Sequence, residues 1–266
     1  MRRFQLGIEP APAGNYNAAD LASINGPFFS AMSATGIDTA TRSLPDDLAP
    51  AHKFVIVLQA LGDQREQDPW VNRLRDGLEF VRVVRNEVVQ EVAREHVAAA
   101  TETVSAIDEI WCRGASAEHA LENLRAAYAM RPVLQLSLVH ERTIFARHNE
   151  EAASVKRLSA LQRKPGLSRL QFGAYWHDVH APMARCHRHV SSYVQNHVLV
   201  DASPGAPFDG FAEFRITDVA AMQVDYESDG GKAMRADVQN FAATVSTFVV
   251  REKRFETRLQ LTASST

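Results

Sequence analysis

The sequence predicts an α+β fold made of tandem ferredoxin-like units with antiparallel sheets. Two observations carry this. The last hundred or so residues read strand, helix, strand, strand, helix, strand. The hundred before them repeat the same pattern in weaker form.

The C-terminal order is the more legible. "SVKRLSALQRK" (154–164) alternates and is short, so it reads as a strand. Pro165 and Gly166 end it, and Ser168 with Gln171 three residues later forms a capping-box pattern. Phe172, Tyr175, Trp176, Val179 and Met183 then recur at helical spacing and make one apolar stripe for packing on a sheet. Pro182 removes a backbone donor, so the helix is expected to end or kink there. "SSYVQNHVLV" (191–200) is a second strand and "DASPGAPFDG" a loop by composition. "FAEFRI" (211–216) is a third strand, a helix interrupted by Gly230 and Gly231 starts after Asp218, and "VSTFVVREKRFE" (245–256) is a fourth strand.

The preceding stretch echoes this one. "FVRVVRNEVV" (80–89) parallels "VSSYVQNHVL" with Asn86 opposite Asn196, and "AIDEIW" (106–111) parallels "GFAEFR" with Glu109 opposite Glu213. "SAEHALENLRAAYAM" (116–130) is an amphipathic helix. "LSLVHERTIF" (136–145) parallels "TFVVREKRFE", with Glu141 near Glu252. "HKFVIVLQALGD" (52–63) serves as this copy's first strand and "DPWVNRLRDG" (68–77) as a short first helix. A rival parsing starts at residue 1, with "RFQLGIEP", "AADLASINGPFFSAMSA" and "GIDTATRSL" as strand, helix and strand and 52–63 as the third strand. Both give antiparallel α+β. The expected organisation is 1–149 as a divergent unit and 150–266 as the better-formed one.

Composition narrows the partners. Apolar residues are 45% and charged residues 23%, typical of a globular protein with a core. A net charge of −3 and the lack of basic runs argue against nucleic acid and against a membrane surface. No apolar run reaches a membrane span, and "MRRFQLGIEPAPAG" has no signal-like apolar segment, so a cytoplasmic protein is expected. Cys112 and Cys186 share no motif and read as two reduced thiols, with a nucleophilic Cys186 as the minority alternative.

Five of the ten histidines fall between Phe172 and Val200. On a helix turning about 100° per residue, His180 lies at the edge of the apolar stripe, whereas His177 and Asp178 face solvent. A semi-buried His suits acid–base work, and it equally suits a bland hydrogen bond to a carbonyl. His187 and His189 read as polar helix-end groups, and no acidic ligand accompanies the cluster in a metal-binding spacing. On the following strand Tyr193, Gln195 and His197 share one face, while Val194, Asn196 and Val198 share the other. Glu213 is either an acid or base group or one partner in a sheet salt bridge to Arg251 or Lys253. Asp237 either steers His180 or sits in a solvated turn.

Several of these residues fall in one series. Lys164 to Ser168 spell K-P-G-L-S, and Phe172, Tyr175, Trp176 and His180-Ala181-Pro182 spell F-x-x-Y-W-x-x-x-H-A-P. Tyr193 to His197 spell Y-V-Q-N-H, and Asp209, Gly210 and Glu213 spell D-G-x-x-E. Asp237 and Phe241 match a final A-D-E-x-x-F in which Val238 replaces the acidic residue. Over roughly 153–256 the chain therefore resembles the EthD family of the dimeric α+β barrel superfamily, and 52–149 is a divergent copy lacking the Y-W-x-x-x-H-A-P element.

The resemblance implies that two ferredoxin-like units pair through their sheets into a barrel, with the site between sheet and helices. It implies a cofactor-independent lyase or isomerase acting on a small hydrophobic, cyclic or aromatic substrate of lactone or polyketide type. On that expectation His180 shuttles a proton, and Tyr193 and Asn196 polarise an oxygen. Asp237 or Glu213 orients His180 or supplies the second acid–base group. Tyr175, Trp176 and His197 contact substrate. Two alternatives stand beside it: an oxidoreductase or haem-handling protein, as in other superfamily branches, and a non-catalytic metabolite-binding accessory protein. The fold is also compatible with a homodimer.

Overall fold

The computed structural model describes residues 51–59, 79–94, 97–113, 115–147, 155–203 and 205–255. The elements expected in the first fifty residues, and the helix expected at 68–77, lie outside these.

Eight strands close one barrel. They are β1 (His52–Gln59), β2 (Glu79–Val92), β3 (Val104–Arg113), β4 (Val133–Ala146), β5 (Val155–Arg163), β6 (Val190–Asp201), β7 (Gly210–Ile216) and β8 (Ala242–Phe255). The order around the barrel is β1-β3-β2-β8-β5-β7-β6-β4, and every pairing is antiparallel. Read in halves, this is β4-β1-β3-β2 followed by β8-β5-β7-β6. The first strand of each half is central, between the third and the fourth. That is the ferredoxin-like order twice over. The stretch from His52 is thus the first strand of its copy, in agreement with the first parsing. The halves join at two seams, β2 with β8 and β4 with β6. Closure leaves no unpaired strand edge. The chain thus makes within itself the dimeric α+β barrel arrangement.

Helices cover the outer faces. In the first half α1 (Ala117–Ala127), capped by Ser116, lies over Phe54, Ile56 and Ile110. In the second half α2 (Arg169–Ala174) opens on the expected capping box, with Ser168 and Gln171 bonded reciprocally. Gly166 before it has φ +89°, a left-handed conformation that glycine adopts without strain. The second-half helix after β7 is two helices, α3 (Val219–Glu227) and α4 (Asp229–Asp237). The break falls at Ser228, whose hydroxyl accepts from Gly231 N–H and caps α4. The glycines therefore lie in the first turn of α4 rather than at the interruption. Gly231 is required there by crowding, since a Cβ would stand 2.2 Å from the Asp225 carbonyl oxygen.

Because strand side chains alternate, each sheet has an inner face toward the other half and an outer face toward its helices. The inner layer joins Val55, Val57, Ile107, Leu158, Phe211 and Phe248 from both halves. At its polar end sits a charge network with pseudo-two-fold pairing. Lys53 bonds Glu109 (2.8 Å), Glu213 (2.7 Å) and Glu141 (2.5 Å). Lys156 bonds Glu109 and lies 3.0 Å from Glu213 and 3.6 Å from Glu252. Asn86 donates to Glu109 and to the Ile107 carbonyl, and Asn196 donates to Glu213 and to the Phe211 carbonyl. The residues matched by internal echo thus occupy equivalent positions. Two ammonium groups hold the Glu213 carboxyl well below its ordinary range despite the opposing effect of burial. Glu213 pairs with these lysines, and not with Arg251 or Lys253 as one sequence reading had it.

Candidate functional site

The site grows out of the segment after α2. The helix does not end at Pro182. It widens into a π-helical turn over Tyr175–His180, resumes as one α-turn over Ala181–Met183 and tightens into a 3₁₀ turn over Ala184–Cys186. Ala181 N–H bonds the Trp176 carbonyl, five residues back. The proline, which has no N–H to give, is absorbed next to that turn. The wider turn changes which side chains face the sheet. Phe172, Trp176 and His180 are all buried, whereas Val179, expected in the stripe, is 47% exposed.

Trp176 packs on Gly210, where a Cβ would lie 2.5 Å from the indole. Its Nε1–H donates to the Tyr193 hydroxyl at 3.0 Å. Gln195 Nε2 donates to the same hydroxyl at 2.8 Å, and Gln195 Oε1 lies 3.0 Å from His197 Nε2. Burial holds His197 at about 3, helped by Arg142, His140 and His177, so at neutral pH it is an uncharged donor that fixes the Gln195 amide. Both acceptor positions of the Tyr193 oxygen are thereby filled, which leaves its O–H free to donate. Burial also pushes this phenol up, so it stays protonated at neutral pH.

His180 Nδ1 lies 2.9 Å from Asp237 Oδ2, and Asp237 Oδ1 accepts from Tyr175 at 2.8 Å and from Asn240 at 2.9 Å. Phe241 stacks on Tyr175 and leans on the His180 ring. The hydrogen bonds from His180, Asn240 and Tyr175 outweigh burial and hold Asp237 below its ordinary value. An ionised Asp237 fixes the neutral imidazole as the Nδ1–H tautomer. Burial, only partly offset by Asp237, pulls His180 below 6.5. Its Nε2 has no protein partner among the described residues.

Both groups line one narrow cavity of about 30 Å³ between the sheet and α2–α4, with Trp176, Phe214, Arg94 and Arg157 around them. That is room for about two waters. Arg94 donates to Thr247 (2.8 Å) and Ser159 (3.2 Å). Arg157 is 4% exposed, lies 3.2 Å from the Met222 sulfur and stacks on Phe214 and Tyr226. Neither arginine stood out in the sequence. Arg157 carried a faint signal, a charge inside a strand buried on both faces.

Other expected residues go elsewhere. Tyr193 and His197 share a face as predicted, and it is the helix-side face, not the barrel interior. Asn196 and Glu213 lie on the opposite face, in the central charge network, so they do not join Tyr193 at the cavity. His187 and His189 are not a polar helix end. His187 is fully buried, with Nε2 3.1 Å from the Met234 sulfur, and His189 binds Asp225 through both its N–H and its ring. His177, expected in solvent, is half-buried. Cys186 is half-buried, and burial, with Asp225 nearby, raises its thiol, which removes the thiolate a nucleophile needs. Among the described residues no cluster has the makings of a metal site, and no helix is long and apolar enough to cross a membrane.

Among the described residues, the matching positions of the first half are filled differently. Matching Lys53 to Lys156 and Glu109 to Glu213 puts Phe54 and Ile56 where Arg157 and Ser159 stand, and Asp108 where Ala212 stands. Asp108 there binds Arg85 (2.7 Å) and Tyr128 (2.8 Å), a closed salt-bridged core.

The series of motifs has a physical reading. Asp209 receives Arg163 and Arg169, Gly210 admits the indole and Glu213 joins the central charges. Comparisons agree with the resemblance. Residues 164–244 match the EthD domain. The fold matches an anthrone oxidase-like protein at 11% identity and TM-score 0.51, over 81% of this chain and 98% of that one. An ethyl tert-butyl ether D (EthD) family protein from Bacillus halodurans C-125 matches at 20% identity and TM-score 0.30, over 39% of this chain and 98% of that one. No curated protein matches the sequence. Residues 164–244 therefore resemble an EthD domain, in a chain whose own two halves close the barrel.

Proposed function

We propose that the chain is an enzyme that moves a proton at a carbon next to a carbonyl, with His180 as the base. One observation carries the reading. A single cavity joins an imidazole nitrogen without a partner to a phenol whose only remaining hydrogen bond is a donated one. A substrate carbonyl oxygen accepts from Tyr193. His180 Nε2 takes the adjacent C–H proton, and the electron pair moves onto that oxygen as an enolate. Asp237 stabilises the imidazolium that forms and keeps Nε2 aimed. Trp176 and Phe214 supply an apolar wall and exclude water. Return of the proton to a different carbon makes an isomerase, and loss of a group β to the carbonyl makes a lyase. No cofactor enters either path.

A second reading keeps the first step and changes the fate of the enolate, which reacts with dioxygen. The likeness of the fold to an anthrone oxidase-like protein favours it. A haem-handling role would instead show as a Soret band in the purified protein.

The test is hydrogen exchange in D₂O at the acidic carbon of anthrone and of an α-aryl lactone, with oxygen uptake followed in parallel. Wild-type protein should exchange. His180→Ala should lower kcat on the order of 100-fold or more. Asp237→Asn should lower kcat with little change in KM. It should also move the acid limb of the pH profile to lower pH, because a neutral amide no longer favours the imidazolium. Exchange undiminished in His180→Ala removes the role of His180.

A further inference from the structure

Three arginines, Arg94, Arg157 and Arg235, line the cavity, and among the described residues no carboxylate lines it. Arg157 makes one contact to a thioether and two to aromatic rings, and its Nε–H has no acceptor. Among the described residues, Arg94 is bonded only to the hydroxyls of Thr247 and Ser159. Among the described residues no Asp or Glu touches either group. Asp237, the acid nearest the chemistry, is taken by His180, Tyr175 and Asn240. Elsewhere this protein pairs its buried cations closely: Lys53, Lys156 and Arg85 each meet one or more carboxylates. A guanidinium does not escape burial by losing its proton. A buried unpaired charge costs several kcal/mol, and a planar fork of N–H donors fits a carboxylate through two parallel hydrogen bonds. The first half has Phe54 at the matching position, so the fold itself does not need the charge.

We infer that the ligand of this cavity is an anion, a carboxylate borne on an aromatic or cyclic apolar framework, received by Arg157 with Arg94 beside it. The inference rests on the reading of the cavity as a substrate site. It adds the class of substrate: the apolar body lies against Trp176 and Phe214, and the carboxylate is held by the arginines. The same positive field near the carbonyl steadies an enolate formed by His180. Like charge from Arg94, added to burial, already draws Arg157 well below the usual guanidinium range, and an anion relieves that strain. Benzoate is larger than a hollow that holds about two waters, so lining side chains must shift to admit it.

The experiment compares benzoate with benzamide, its neutral isostere, by thermal melting and calorimetry at constant ionic strength. Benzoate should raise the Tm of the wild type in a concentration-dependent way, and benzamide should not. Arg157→Gln should weaken benzoate at least about 30-fold, and Arg157→Lys should fall between, since it keeps the charge and loses the fork. Arg94→Gln, at a half-buried position, should weaken it as well. Without ligand, Arg157→Met should melt no lower than wild type, because it removes an uncompensated charge. Equal responses to benzoate and benzamide, no response to either, or full benzoate affinity in Arg157→Gln each overturn the inference. So does a Arg157→Met variant that fails to fold, which would make the arginine structural. The readout is binding alone. Arginine-dependent benzoate binding without hydrogen exchange would therefore leave this inference standing and remove the proton-transfer reading.

Discussion

Replacing His187 by leucine should make the protein less sensitive to acid. The ring is fully buried between Met234 and Tyr226, with Nδ1 unpaired. Burial, assisted by the charges of Arg157, His180 and Arg147 and opposed by Asp225, lowers its pKa from 6.5 to about 4. The sign follows from which state binds the proton. Below 6.5 the unfolded chain protonates this ring and the folded chain does not, so stability falls as the pH drops, and the fall levels off once the pH is below about 4. Between those limits each pH unit is worth about 1.4 kcal/mol, so the ring alone removes about 2 kcal/mol between pH 7 and pH 5. Urea denaturation of wild type and His187→Leu at pH 7, 6 and 5 isolates this contribution, because every other titrating group is common to both proteins. The backbone here is held independently, since Arg147 donates to the carbonyls of His187, Arg188 and Val190. Wild type should lose about 2 kcal/mol more than the variant over this interval. Equal losses would refute the reasoning, because the buried ring would then not be held neutral.

Two further perturbations test the packing around the site and the centre of the barrel. Gly210→Ala forces the indole of Trp176 away from a Cβ 2.5 Å distant; it should cost about 1–3 kcal/mol and shift the tryptophan fluorescence as the bond to Tyr193 breaks, and an unchanged spectrum would show the ring is not wedged there. Lys53→Met leaves Glu109, Glu141 and Glu213 with one fewer cation and should destabilise by about 3–5 kcal/mol in denaturant; Lys53→Met with Glu213→Gln should cost less than the sum of the two single changes, and strict additivity would deny the network.

Much of the architecture was legible because it is written in local periodicity. Alternation located the strands of both halves, and the Ser168–Gln171 pair located the helix start to the residue. The echo of Asn86 with Asn196 and Glu109 with Glu213 foretold equivalent positions, since a repeat must bury equivalent residues. His180 and Asp237 were visible because the motif series ties them together, and their hydrogen bond brings together residues 57 apart. The failures have two causes. Regular helical geometry puts Val179 in the apolar stripe, but the π-helical turn widens the step and sends it to solvent. His187 looked like an exposed helix end because nothing nearby in sequence marks the aromatic and thioether that enclose it.

The sequence by itself determined the class, the strands of both halves, the caps and the pairing of faces along each strand, because these depend on residues a few positions apart. Only the tertiary structure decided which face meets the helices. That choice put Tyr193 at the cavity and sent Asn196 and Glu213 to the charge network. Only the structure, too, brought Arg94 from β2's end and Arg157 from β5 to the same hollow as His180. Strand alternation has a period of two and says which residues share a face. It cannot say what that face is packed against, and a charge in a strand has no meaning until its partners, or their absence, are seen in space.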